Sequence, residues 1–280
     1  MFDGGSGGNQ MSRRLLSLAS GVLPEFTPIQ TAEAAIAAGY GGVGIWVEPS
    51  TWNATTAREV CKRVTDAGVV VLDVEVVWIK PGPDNADHFR IIDAGAEIGA
   101  RNVLVVSSDP DPGATAAKLG RLVDHATALG MRASLEFAAF TEVKTLAAAL
   151  DVLARTGRNE AGLLIDPLHF ARTGGKPADL ASMDANLIAY AQFCDAAAKG
   201  PSPDDTKAIT HEALDLRLLP DQGALPLDAL LDALPPMTPL SIELRSKNLR
   251  DTYSDPAERA RSVLTATRVM LDRHEARMPG

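Results

Sequence analysis

Cysteine is nearly missing from this chain. Its 280 residues hold only Cys61 and Cys194, too few and too far apart for a disulfide framework or a zinc ribbon, so two reduced thiols in the interior are expected. Long apolar runs are missing too, since none approaches the ~20 residues that cross a bilayer. The opening stretch, Met1–Gln10, is polar and Gly-rich without the apolar centre of a secretory signal. Residues 1–11 are therefore expected to be a disordered leader, with Met11 an alternative start, and cytoplasmic residence follows by default. Positive charge is in deficit. Lys and Arg number 27 against 36 Asp and Glu, a formal charge of −9, which argues against a nucleic-acid groove or a patch for anionic membranes. Aromatics are few, whereas alanine and leucine recur in runs that look helical.

What is present is ordinary for a globular core: 46% hydrophobic and 22% charged residues. The length suits one α/β barrel or two small domains. A repeat chooses between them. Gly39, Gly68, Gly99, Gly130 and Gly157 each follow an amphipathic stretch and precede a short apolar run, at intervals of about thirty residues, one helix plus one strand. Glycine suits the left-handed position that ends a helix. The spacing predicts eight strands: Leu15–Ala19, Gly44–Val47, Val69–Val77, Asn102–Ser107, Ala133–Phe137, Gly162–Ile165, Leu187–Phe193 and Leu240–Leu244. Most are continuous apolar runs, as parallel strands covered by helices should be. Predicted helices include one opening at the capping box Thr27-Pro28-Ile29-Gln30, with others at Ala86–Ile98, Ala114–Leu129, Val143–Arg155 and Pro256–Arg273. Gly174 to Asp184 has room for a short helix at most, and Asp195 to Pro226 reads as a polar insertion of the kind that walls or covers an active site. The reading is a single (β/α)₈ TIM barrel over residues 12–280. A doubly wound sheet is the alternative, but the first strand–helix turn has no G-x-G-x-x-G, and Gly39–Gly44 precedes its strand, which makes a poor phosphate loop.

Barrel chemistry sits where strands end. Strand five ends Ser134-Leu135-Glu136-Phe137 and strand six Leu164-Ile165-Asp166-Pro167-Leu168-His169. Strand seven carries Tyr190-Ala191-Gln192-Phe193, and strand eight Ser241-Ile242-Glu243-Leu244-Arg245. With a period of two, Glu136, Asp166, Gln192 and Glu243 can all face the barrel axis. Three carboxylates brought together there repel one another and resist desolvation, and a divalent cation removes both costs. The set is hard and all-oxygen, favouring Mn²⁺ or Mg²⁺, with Co²⁺ or Zn²⁺ also able to occupy it.

These residues resemble the sugar phosphate isomerase/epimerase superfamily, the xylose isomerase-like barrels, over Leu15 to Leu271. The resemblance implies a metal site of Glu136, Asp166, Gln192 and Glu243, with glutamine where epimerases of this kind carry histidine. In that respect the chain is similar to the bacterial dehydroshikimate dehydratases of the same fold. It also implies that His169 contacts substrate beside the metal and that Glu136 and Glu243 act as the acid/base pair. Arg217-Leu218-Leu219-Pro220-Asp221-Gln222-Gly223 resembles the family's Arg-x-x-Pro-Gly-x-Gly loop, with Asp221 in place of a glycine. Arg217 would hold an anionic or hydroxylated end of the substrate, or form a surface salt bridge.

Glu75, inside strand three, is expected to bind substrate or pair with a neighbour. Trp46, Trp52 and Trp78 are candidates for an apolar wall, with packing the role of at least one. His211 and Glu212 reach the site only if the insertion folds over it.

The chemistry implied is proton abstraction next to a metal-bound carbonyl of a sugar or related polyhydroxy compound. Reprotonation gives an isomerase or epimerase, the leading reading; loss of a β-hydroxyl gives a dehydratase of a cyclic polyhydroxy ketone. The third reading is a non-catalytic barrel subunit. A small-molecule substrate is the expected partner, and related barrels commonly form homodimers.

Overall fold

The computed structural model describes residues 14–277, so the expected leader lies outside the described residues. Eight parallel strands close into a barrel in chain order, β8 pairing with β1 through Leu16–Leu240, Ser17–Ser241 and Leu18–Ile242. The doubly wound alternative is thereby excluded.

The elements are β1 (Leu16–Leu18), α1 (Pro28–Ala38), β2 (Gly42–Trp46), α2 (Ala54–Ala67), β3 (Val70–Ile79), α3 (Ala86–Glu97), β4 (Asn102–Ser107) and α4 (Pro112–Ala128). They continue with β5 (Arg132–Glu136), α5 (Leu146–Thr156), β6 (Gly162–Ile165), α6 (Pro167–Arg172), α7 (Pro177–Ala181) and β7 (Ile188–Phe193). The chain closes with α8 (Thr206–Asp215), α9 (Leu227–Ala233), β8 (Leu240–Ile242), α10 (Lys247–Thr252) and α11 (Pro256–Glu275). No helix among the described residues is long and apolar enough to cross a membrane.

The five punctuating glycines all have positive φ, from +63° to +89°, as stops in the left-handed region require. Thr27 and Gln30 form the expected reciprocal cap on α1. Boundaries differ where local chemistry outweighs periodicity. Helix α4 starts two residues before Ala114, because Asp111 Oδ1 accepts from Gly113 and Ala114 and Pro112 takes the first helical position. Helix α5 starts at Leu146 rather than Val143, where Thr145 caps Ala148. Strand β2 begins at Gly42, two residues early. A Cβ on Gly42 would stand 3.1 Å from Ser17 Cβ, and one on Gly44 would stand 2.6 Å from Asp73 Oδ1; bare backbone is what lets the first three strands close.

The aliphatic core lies between strands and helices, while Leu72, Leu104, Val106, Leu164 and Tyr190 form a second cluster. The 195–226 insertion is more ordered than its composition suggests, because it carries α8.

Candidate metal centre and active site

Glu136 ends β5 and Asp166 follows β6, each two residues beyond a partner that faces the barrel interior, so the pleat turns both inward. Asp166 also caps α6, its Oδ1 accepting from Leu168 N at 2.7 Å and His169 N at 3.2 Å. Its Oδ2 is left facing the site, where it accepts from Arg217 Nη1 at 2.5 Å. The Gln192 side chain lies between the two carboxylates. With its nitrogen inward the amide donates to Glu136 Oε1 at 3.1 Å and Asp166 Oδ2 at 2.7 Å. Turned over, its oxygen takes the same place, and three oxygens then crowd one point as they do around a hard cation.

Glu243 lies in the same cavity. Its Oε1 accepts from Arg245 Nε at 3.1 Å, and its Oε2 is buried without a partner. A buried carboxylate oxygen with no donor is costly. An orphaned oxygen in the same cavity as the other carboxylates fits the donor chemistry of Mn²⁺, Mg²⁺ or a similar ion, although among the described residues Glu243 lies outside the closest group of possible ligand atoms. Ligand atoms of Glu136, Asp166 and His169 stand within 4.8 Å of one another, so His169 is nearer the centre than a purely substrate-contacting residue needs to be.

Burial and the Asp166 charge hold the Glu136 carboxyl well above its usual range, with Arg217 opposing. Burial alone would raise Asp166 as well, but the Arg217 guanidinium beside it brings it below the ordinary value. Burial lowers His169 to about 4, against the pull of Asp166. Its Nδ1 accepts a long 3.5 Å bond from Ala139 N, so the neutral ring carries its proton on Nε2.

A cavity of about 230 Å³ opens above these groups. Glu75, Glu136, His169, Gln192, Arg217 and Glu243 line it, opposite an apolar wall of Trp46, Val76, Trp78, Leu104, Val106 and Phe140. Trp46 is 41% exposed and Trp78 36%, and Trp78 is held by a bond from its Nε1 to Ser108 Oγ at 2.9 Å and by contact with Phe140. Trp52 instead packs on the core and donates to Glu97. Glu75 both pairs and faces the cavity: Ser20 N and Oγ donate to it at 3.3 and 3.0 Å. Burial first, then Glu243 and Asp73, keep its carboxyl well above the usual range.

Arg217 is not on the surface. It is buried, with Nε donating to Ala213 O at 2.8 Å and Nη1 to Asp166, Cys194 Sγ and Glu243 O. Its loop is held by Asp195, whose carboxylate accepts from Ala196, Gly223 and Leu225 N. Asp221, at the missing glycine, adopts φ +71°, a conformation aspartate tolerates better than most residues. The insertion does fold over the mouth, but Thr210, Ala213 and Leu214 line the cavity rather than His211 or Glu212. His211 pairs with Asp215 at the surface, and Glu212 holds Arg172.

Sequence reading missed three polar groups. Asp73 lies at the buried side of β3, where Tyr190 donates to its Oδ2 at 2.8 Å while Oδ1 has no partner. Ser20 was not foreseen, nor was Arg245, although alternation along Glu243-Leu244-Arg245 places it on the same side as Glu243.

An eight-stranded parallel barrel whose C-terminal mouth is lined by carboxylates and an amide has the architecture of a class of α/β-barrel enzymes. The chain belongs to the xylose isomerase-like TIM barrel family, whose model matches residues 32–268. It is 27% identical over 263 residues to a 3-dehydroshikimate dehydratase of Pseudomonas aeruginosa, which covers 88% of this chain and 40% of that protein. The chain therefore spans less than half the length of that curated relative. Among solved structures, a xylose isomerase-like TIM barrel/4-hydroxyphenylpyruvate dioxygenase fusion protein superposes with a TM-score of 0.78 at 21% identity, over 96% of this chain and 45% of that one. The zinc-bound IOLI protein superposes with a TM-score of 0.79 at 18% identity, over 93% and 99%. An L-ribulose 3-epimerase and a probable 3-DHS dehydratase of Bacillus anthracis share the fold as well.

Proposed function

We propose that this chain is a divalent-metal-dependent dehydratase of a cyclic polyhydroxy ketone, of the 3-dehydroshikimate type. The carrying observation is Gln192, which completes the cluster with Glu136 and Asp166 by an amide, as in the dehydratases the sequence resembles. The Pseudomonas relative supports the same reading. So does the apolar wall opposite the carboxylates, which suits the face of a ring.

Glu136, Asp166, Gln192 and Glu243 would hold the cation, Mn²⁺ by preference. Once bound, it supplies Lewis acidity to a carbonyl oxygen. One of Glu136 and Glu243, which reach the cavity from the ends of β5 and β8, would take the proton from the carbon next to that carbonyl. The C–H electron pair forms a carbon–carbon double bond, the adjacent C–O bond breaks, and the departing hydroxide leaves as water with the proton returned from the carboxyl. The Nε2–H of His169 orients the leaving hydroxyl.

An isomerase or epimerase uses the same first step, and the two carboxylates flanking one cavity favour that second reading. Incubation with Mn²⁺ and 3-dehydroshikimate or ketoses in D₂O, followed by NMR, separates them. Loss of water from the cyclic ketone is expected. Solvent deuterium incorporated into an unchanged skeleton would replace the dehydratase with the epimerase, and no turnover of any of them would sink both.

A further inference from the structure

Arg245 is the cation at the cavity mouth with donors to spare. It follows β8, and its Nε donates to Glu243 Oε1 at 3.1 Å. Among the hydrogen bonds of the described residues its side chain makes no other, and it remains 21% exposed. Arg217, by contrast, is only 4% exposed and commits Nε and Nη1 to Ala213, Asp166, Cys194 and Glu243, with Nη2 alone left over.

A second recess of about 180 Å³ adjoins the main cavity, with Trp46 and Arg245 lining both. Its far side is the connection between β1 and α1, including Ser20, Leu23 and Phe26. That connection is braced from below. Arg259, fully buried on α11, donates to Val22 O at 3.2 Å and to Tyr253 O at 2.8 Å, and pairs with Glu25 at 2.6 Å. Gly21 presses on the Glu243–Arg245 pair so closely that a Cβ there would stand 2.1 Å from Glu243 Oε1 and 2.7 Å from Arg245 Nε. The inner edge of the guanidinium is thus pinned, and its terminal nitrogens are the part left to meet a ligand.

Of the charged side chains lining the cavity, Glu75, Glu136 and Glu243 are acidic and Arg217 and Arg245 basic, so an anionic ligand group finds its complement only beside an arginine, and Arg217 is already buried against Asp166. A planar fork with two open N–H groups matches a carboxylate in geometry as well as charge.

We propose that Arg245 and the recess beside it receive a carboxylate carried on the substrate's ring, making the site selective for carboxylated cyclic ketones over neutral ones. The proposal rests on the dehydratase reading above.

The probes are 3,4-dihydroxybenzoate and catechol, which share vicinal oxygens and differ by one carboxylate. Their affinities for Mn²⁺-loaded protein are measured by calorimetry for wild type, Arg245→Gln and Arg245→Lys. Wild type should prefer the dihydroxybenzoate by on the order of tenfold or more, as a charge-assisted contact predicts. Arg245→Gln should bring that ratio close to one, and Arg245→Lys should keep part of it. If Arg245 only orients Glu243, both affinities move together and the ratio stays, which overturns the proposal. A wild-type ratio near one overturns it as well. Binding of neither probe to the Mn²⁺-loaded wild type would instead remove the metal-site reading beneath it.

Discussion

At the residue scale, Asp73 shows how far burial moves a carboxyl. Burial raises it to about 7, against the hydrogen bond from Tyr190, and the Glu243 charge adds to the rise. An unfolded aspartate titrates near 3.9. As pH climbs from about 4 to 7 the unfolded chain releases this proton and the folded chain keeps it. Stability therefore falls across that window and levels off above it. Asp73→Asn should accordingly melt at the same temperature as wild type near pH 4. By pH 8 it should be more stable by about 4 kcal/mol, the cost of ionising a carboxyl held at about 7 rather than near 3.9. Thermal melts across pH test this; an asparagine variant with no pH-dependent advantage would show that Asp73 is ionised at no cost.

At the scale of elements, the cover of the site depends on one buried ion pair. Helix α8 brings Thr210, Ala213 and Leu214 to the cavity and offers Ala213 O to Arg217. It is tied down by Glu212, which accepts from Arg172 Nε at 3.0 Å and Nη2 at 2.7 Å, and Arg172 Nη2 also donates to Ala197 O at 2.6 Å. Arg172 ends α6, the helix that Asp166 caps, so the latch links the cover directly to a ligand-bearing element. Arg172→Ala leaves the Glu212 carboxylate buried and unpaired, a loss of about 3–5 kcal/mol when nothing else compensates. Release of α8 is the cheaper response. Limited proteolysis should then cut within 197–206 in the variant and spare the wild type, and substrate KM should rise more than kcat falls. Equal resistance of the two proteins would show that packing alone retains the helix.

At the scale of the whole molecule, a cation at this site would couple strands that lie apart in the chain. The proposed ligands Glu136, Asp166, Gln192 and Glu243 come from the ends of β5 through β8 and are brought to one mouth only by closure of the barrel, so the ion would bind the folded state and not the unfolded one. Mn²⁺ at a hundredfold excess over its Kd should stabilise the protein by about 2.7 kcal/mol. Melting curves with Mn²⁺ and after chelation test this. An unchanged midpoint would remove both enzyme readings and leave the non-catalytic barrel.

The barrel was legible in the sequence because its determinants are local. Glycine stops at positive φ, caps such as Thr27 and Asp111, and apolar runs of strand length act within a few residues. The site was legible in part for the same reason, since strand alternation alone turns Glu136, Asp166, Gln192 and Glu243 toward one mouth. What a side chain meets across the barrel was beyond such reasoning. Arg217, in the loop after α8, and Arg245, just past β8, are both arginines beside the barrel mouth whose sequence neighbours do not tell their roles apart. Only the tertiary structure makes one of them a buried partner of Asp166 and leaves the other open beside Trp46. Alternation sets which way a residue faces. The meeting of distant strands, loops and helices sets which donors are already satisfied, and that depends on through-space packing that no single stretch of chain encodes.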